Sequence, residues 1–310
     1  MSSVLISAIW FPCCTAWWYA RGFRAIGWEV VTCGPSTGRF IPWNGGMVLD
    51  EKYQTVPDVE TSFSRRYEYQ EVRGRMGGDP DLVVEFDAWW GMEGVPAPHV
   101  CLAADNQILG YHTERFDLVF GAHSWGHGHT EKNFRWLPGA HDPDLCFDKS
   151  LDRSVDVGLV GSMYQHRWDA VRFLYAKGLT VEVGCGLLRE EYNDFYNRCK
   201  MALVLSGNND LSGRVFEHMA QGCLVLSDRN VPDMAKVGMK EGEHFLAYGD
   251  MWELAERARQ GRDGHYRAKL TEAAKEWVRP HTWANRAEAI VRETEAFLGD
   301  HKTEGGGEAT

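Results

Sequence analysis

Short apolar runs alternate with amphipathic stretches along most of this chain, and that alternation leaves few folds open. "VLISAIW" (Val4–Trp10) reads as a buried strand, "TAWWYARGFRAIG" as a helix stopping at Gly27, and "WEVVTCG" as the next strand. A β-α-β unit so early predicts a parallel sheet, because parallel neighbours need a crossover. "DLVVEFD" (Asp81–Asp87), "HVCLAAD" (His99–Asp105) and "FDLVFGAH" (Phe116–His123) are further strands by the same criterion. "WLPGAHDPDLCF" (Trp136–Phe147) is turn-rich and without period, a connection out of a first domain. A second alternation starts at "VDVGLVGS" (Val155–Ser162) and runs through strands "LTVEVGCG", "MALVLSG" and "CLVLSD" with helices between them. The expected fold class is therefore α/β: two Rossmann-like β/α/β domains facing across a cleft. The expected boundaries are 1–148 and 149–280, with a terminal helix over 281–300 and a disordered tail over 301–310, whose "EGGGEAT" lacks large apolar residues. Ligands of such folds bind at the C-terminal edges of the sheets.

Composition narrows the function classes. The 310 residues are 44% hydrophobic and 25% charged, as in soluble globular proteins. A net charge of −11 disfavours a broad electrostatic grip on nucleic acid or an anionic membrane, while leaving room for a local basic groove. The start "MSSVLISAIWFPCC" lacks the basic region and cleavage site of a signal peptide, and no apolar run is long enough to span a bilayer. A cytoplasmic location without membrane contact is expected. The eight cysteines show no C-x-x-C, and the histidines no H-E-x-x-H, so the cysteines read as small buried hydrophobes and no required metal is expected.

The stretch "LSGRVFEHMAQGCLVLSD" (Leu211–Asp228) is the most informative. An arginine opening a helix sits at the positive end of its dipole, which is locally unfavourable. An anion held there by Arg214 and free backbone N–H groups would explain it. An ordinary Arg214–Glu217 surface pair at i,i+3 is the simpler alternative. The acceptor-only oxygens of Glu217 suit vicinal hydroxyls. Ser162 follows a strand and opens a helix, as a phosphate-binding turn does, and also as a plain N-cap does.

Four pieces in order, "VGLVGSMYQHR", "SGRVFEHMAQGCLVLSD", "EGEHFLAYGD" and "HTWANRAEAI", resemble glycosyltransferases of the GT-B fold. The likeness is greatest to the group 1 branch related to the spore protein CgeB, and covers most of Val155–Ile290. In the first half, "AADNQILGYH" resembles chains from phage genomes. The resemblance implies a nucleotide-sugar donor, most simply a UDP-sugar, on the second domain. It assigns Gly161, Ser162, Arg167 and Arg214 to the diphosphate and Glu217 to the ribose hydroxyls. It implies no cofactor and no required metal, since arginines and a helix N-terminus carry the leaving group's charge. "DPD" at Asp79–Asp81 and at Asp142–Asp144 then reads as turn sequence. Where related chains carry a second glutamate eight residues before the first, this chain has Asn209, and stereochemistry stays open.

The first domain is expected to supply a base and an acceptor surface. Asp105 closes "HVCLAAD" and is the first choice of base, with Asn106 beside it as a further hydrogen-bonding group. Asp87, His112 and His123 are the rivals, and each strand-end Asp is equally a cap or turn former. Nine of the thirteen tryptophans fall in the first 150 residues. Trp10, Trp17, Trp18, Trp89, Trp90 and Trp125 follow strands or turns and are candidates to stack on an acceptor, while Trp28 and Trp136 read as packing. "FSRRYEYQEVRGR" (Phe63–Arg75) interleaves cations and aromatics and suits phosphates or a solvated helix. The resemblance to phage chains implies a hydroxymethylated DNA base as an acceptor candidate, beside a glycan or a protein. A non-catalytic nucleotide-sugar-binding protein and a sugar-nucleotide epimerase remain as other readings of the same architecture.

Overall fold

The chain forms two units, and strand and helix alternate through the second as the apolar pattern predicts, whereas most strands of the first follow one another without a described α-helix between them. The structure, a computed structural model, describes residues 1–42, 46–63, 67–87, 91–96, 98–110 and 113–304. The first unit contains β1 (Ser3–Ser7), α1 (Thr15–Ala25), β2 (Glu29–Gly34), β3 (Phe40–Ile41), β4 (Met47–Val48), β5 (Val59–Glu60), β6 (Tyr67–Glu68), α2 (Tyr69–Arg73), β7 (Leu82–Phe86), β8 (Met92–Glu93), β9 (His99–Ala103), β10 (Leu118–Gly121) and β11 (Phe134–Trp136). The second holds β12 (Val155–Val160), α3 (Gln165–Ala176), β13 (Val181–Gly184), α4 (Arg189–Asn197), β14 (Cys199–Val204), α5 (Gly213–Ala220), β15 (Leu224–Asp228), α6 (Pro232–Lys236), β16 (Phe245–Tyr248), α7 (Met251–Gln260) and α8 (Gly264–Val278). The chain ends in α9 (Trp283–Glu304).

In the first unit seven strands pair in the order β11-β10-β9-β7-β1-β2-β5, every neighbour parallel. Every residue of β7, β9 and β10 is buried, as expected of strands covered on both faces. These strands stop short of the expected ends because the backbone turns there. Asp87 takes a left-handed φ of 56°, and Ala104 onward is a turn. Strand β11 carries no such signal, since all three of its residues are only half-buried.

The terminal helix returns to this first unit. Gly22 of α1 lies so close that a β-carbon there would be 2.4 Å from the Trp283 carbonyl oxygen. Trp18 stacks on Trp283 at 6.3 Å, Tyr19 meets the same ring edge-on at 5.0 Å, and Arg286 donates to the Pro138 carbonyl at 2.8 Å. Contacts accordingly divide the chain into Met1–Pro138 with Trp283–Thr310, and Gly139–Thr282. That differs from the expected boundaries at 148/149 and 280/281. Residues 139–148 join the second unit because their backbone is satisfied there. His141 N–H donates to the His281 carbonyl, and Phe147 and Lys149 N–H donate to the Asn193 and Asn197 side chains of α4. Helix α9 continues into the stretch expected to be a disordered tail, and residues 305–310 lie outside the described residues.

The second unit's sheet has the order β13-β12-β14-β15-β16, again all parallel. Alternate side chains sort to its two faces. Leu203 and Leu226 pack with Leu174 of α3 and Leu254 of α7, while Val204 and Val225 pack with Phe216 of α5 and Val278 of α8. Strand β12 sits between its successor β13 and the later β14, so the strand order reverses beside it. That is the topological switch point, where doubly wound sheets open a crevice at their carboxyl ends.

Candidate active site

At the switch point the chain makes a turn that only glycine adopts without strain. Gly161, directly after β12, has φ 141°. The N–H of the preceding Val160 donates to the Tyr196 hydroxyl at 2.9 Å, and Gly161 N–H donates to the Gly184 carbonyl at 3.0 Å. Helix α3 begins at Gln165 with Tyr164 as its uncapped N-cap. Ser162 is therefore neither the cap nor the helix start that its position suggested. Instead its carbonyl accepts Arg167 Nη1 at 2.8 Å, and Arg167 Nη2 reaches the Leu205 carbonyl at 3.4 Å. Arg167 thus bridges the ends of β12 and β14.

Helix α5 brings the second cation. Ser212 caps it, accepting Arg214 N–H at 3.4 Å, and Val215, Phe216, His218 and Met219 are its buried face. Arg214 turns its guanidinium over Gly161. A methyl group on that glycine would lie 2.9 Å from Arg214 Nη1 and 3.0 Å from Arg167 Nη1. Burial and then the neighbouring Arg214 lower the Arg167 pKa, since each disfavours its charge. Two half-buried guanidiniums thus converge on one glycine.

Glu217, one turn further, is not half of a surface ion pair. Its Oε2 accepts the Tyr192 hydroxyl at 2.9 Å. Burial pushes its carboxyl pKa up, while the Tyr192 hydrogen bond and Arg214 pull it back down. His218 is fully buried against Tyr196, ring centroids 4.0 Å apart, and burial lowers its pKa to about 3, so it stays neutral. Sequence reasoning missed Tyr192 and Tyr196. Their i,i+4 spacing in "REEYNDFYN", on one face of α4, was the available signal. Asn209, where related chains carry a glutamate, is exposed with a left-handed φ of 56°. Its neighbour Asp210 accepts the Ser206 hydroxyl at 2.8 Å, and Asp228 accepts the Ser206 N–H at 2.5 Å.

The acceptor-side residues fare differently. Asp105 is exposed in the turn after β9. Asn106 is fully buried and spends its side chain on the loop, donating to the His123 and Trp125 carbonyls at 2.9 and 2.8 Å and accepting His123 N–H at 2.9 Å. It is a loop staple, which removes the reason it lent to Asp105. Asp87 accepts the Ala104 N–H at 2.8 Å and so ties two strand ends together. His123 is 4% exposed. Trp10 is 2% exposed, with its indole N–H donated to the Cys33 carbonyl at 2.8 Å, so it has no face to offer an acceptor. Trp18 is occupied by Trp283. Trp17 and Trp125 remain half-buried. Trp28 packs on Phe23, and Trp136 donates to the Ala122 carbonyl at 3.3 Å, as read from sequence. Trp89, Trp90 and His112 lie outside the described residues, as do Arg65 and Arg66 of the basic stretch. The remainder of that stretch includes α2, which buries Tyr69 and Val72 and pairs Arg73 with Asp79 at 2.7 Å.

Both "DPD" segments serve as ties to the backbone, one across the sheet and one within its turn. Asp81 accepts the Ser3 N–H at 2.8 Å, and Asp142 accepts the Asp144 N–H at 2.9 Å within its turn. Among the described residues no group of three or more His, Cys, Asp or Glu side chains is arranged to hold a metal ion, and no helix is long and apolar enough to cross a membrane. Six of the eight cysteines are buried.

Residues 146–292 match the glycosyl transferase-like family model. No curated protein matches the sequence. Among solved structures, the fold is shared with AviGT4, a glycosyltransferase involved in avilamycin A biosynthesis, at TM-score 0.65 and 16% identity over 97% of this chain and 99% of that one. An α-glucosyltransferase in complex with UDP and a 13-mer DNA containing a HMU base is similar at TM-score 0.67 and 11% identity, over 95% and 99%. Sucrose-phosphate synthase from Thermosynechococcus elongatus is similar at TM-score 0.63 and 10% identity, over 97% and 100%. Residues 146–292 thus match the glycosyl transferase-like family, and the chain as a whole shares the GT-B fold of these glycosyltransferases.

Proposed function

We propose that this enzyme transfers a sugar from a uridine diphosphate sugar to a hydroxyl acceptor. The observation that carries the donor assignment is the meeting of Arg167 and Arg214 over Gly161, with Glu217 one helical turn beyond. Arginine pairs and a helix N-terminus suit a diphosphate, and a carboxylate at that distance suits ribose hydroxyls. In the proposed reaction the bond between the sugar's anomeric carbon and the diphosphate oxygen breaks, and an acceptor oxygen bonds to that carbon. UDP leaves with its new charge held by the two guanidiniums, and the acceptor's proton passes to a base, proposed to be Asp105. Glu217→Ala is expected to weaken UDP binding by about 1.5–3 kcal/mol, the scale of hydrogen bonds to a charged group. Unchanged UDP affinity by calorimetry would refute the assignment.

The acceptor we propose to test first is a hydroxymethylated base in DNA. The α-glucosyltransferase with its HMU-containing DNA supports this choice, as does a β-glucosyltransferase described as a DNA modifying enzyme. A phage source, a CgeB-related branch and a cytoplasmic site of action are proposed on the sequence alone. Of the candidate acceptor tryptophans, half-buried Trp17 and Trp125 are the two proposed to stack on the acceptor. A mass shift on hydroxymethylated DNA, set against glycan and protein acceptors, tests the choice. UDP-sugar binding without transfer would favour a binding protein, and an isomerised sugar an epimerase. Because arginines carry the leaving group's charge in this scheme, transfer is expected to continue in EDTA. Complete loss restored by manganese would overturn that scheme.

A further inference from the structure

We propose that Tyr192 is a positioning residue for the donor, acting through Glu217; this rests on the donor reading of that site. A carboxylate on a helix side chain rotates about its last torsion, and a ligand that needs one orientation must first arrest it. The Tyr192 hydroxyl donates to Oε2 of Glu217 at 2.9 Å and sets that rotation. Tyr192 is itself held. Its ring meets Tyr196 edge-on at 4.9 Å and stacks on His218 at 5.9 Å. Helix α4 is anchored by Asn193 and Asn197, which accept the N–H groups of Phe147 and Lys149 at 3.2 and 2.7 Å. One turn along the same face, the Tyr196 hydroxyl accepts the N–H of Val160, directly before Gly161. Two tyrosines of one helix thus brace the two halves of the site: the glycine turn after β12 and the carboxylate of α5. Neither contact is local in sequence, and neither tyrosine is needed for a surface ion pair.

The experiment is a double-mutant cycle read by calorimetry with UDP as the probe, on the full chain. Tyr192→Phe keeps the ring and its packing and removes only the hydroxyl, and thermal melting checks that the variant is folded. Expected is a roughly 5- to 30-fold loss of UDP affinity in the wild-type background, the scale of one hydrogen bond to a charged group. In the Glu217→Ala background the same substitution is expected to add less than about twofold, because its target is gone. An equal loss in both backgrounds overturns the inference, since Tyr192 then acts without Glu217. So does an unchanged Tyr192→Phe beside a weakened Glu217→Ala. No UDP binding by the wild-type protein overturns the donor reading, and this inference with it. The pH profile separates positioning from a merely structural role. The groups facing Glu217 are Arg214 on its own helix, Tyr192 on α4 and Cys146 before β12. Donation from Tyr192 favours the ionised carboxylate, so its loss moves the acid limb of UDP affinity to higher pH. Comparing variant with wild type cancels the titration of UDP itself. An unmoved acid limb overturns the inference.

Discussion

Asp105→Asn is expected to lower turnover by about 10²–10⁴-fold while leaving UDP affinity within about twofold, the signature of a lost general base. The side chain is exposed in the turn after β9, and the backbone around it is satisfied by other groups, with the Asp105 carbonyl accepting Ile108 and Leu109 N–H. Asparagine preserves size and most hydrogen bonds, so the folded turn should survive. Asp87 makes a useful contrast. Its carboxylate accepts the Ala104 N–H at 2.8 Å, so Asp87→Asn should cost stability first and rate only in proportion to folded protein. Steady-state kinetics with thermal melting of both variants separates the roles. If Asp105→Asn keeps more than about a tenth of wild-type turnover, well above what loss of a base allows, the base lies elsewhere, with Asp87, His112 and His123 next in line.

Arg214→Ala should weaken UDP binding by about 100-fold, near 2.7 kcal/mol, because charge-assisted contacts to a diphosphate are lost. The stability change should have the opposite tendency. Arg214 lies over Gly161 beside Arg167, whose pKa is lowered by burial and by that neighbour. Removing one of two like charges relieves repulsion of order a few kcal/mol at most. The ligand-free melting temperature should therefore hold or rise, and the stabilisation that UDP confers should shrink. A large drop in melting temperature with UDP binding intact would make Arg214 a structural residue.

The pH dependence of donor binding follows from Glu217. Burial raises its carboxyl pKa, and the ionised form is the one that accepts ribose hydroxyls. Donor affinity should therefore be full above that pKa and fall as the pH drops through it. His218 contributes nothing to this limb, because burial lowers its pKa to about 3 and it remains neutral throughout.

What the sequence by itself determined is whatever repeats over a few residues. Apolar runs alternating with amphipathic segments determined two parallel sheets, and Gly27 marked the end of α1. The pair Arg214–Glu217 was legible as a candidate site because both residues sit on one helix at i,i+3. The tertiary structure decided everything that depends on a distant partner. It placed α9 on α1 because Gly22 and Trp283 touch, a contact no local period announces. It turned Asn106 into a staple by partners 17 and 19 residues away, and buried Trp10 on a carbonyl 23 residues away. It made Glu217 a braced carboxylate through Tyr192, 25 residues earlier, where the i,i+3 pattern alone allowed an ordinary surface pair. Periodicity encodes which face of an element is buried, since that is settled within each turn or pleat. The partner waiting on the other side of that face is chosen by the packing of whole elements, and only the assembled unit contains it.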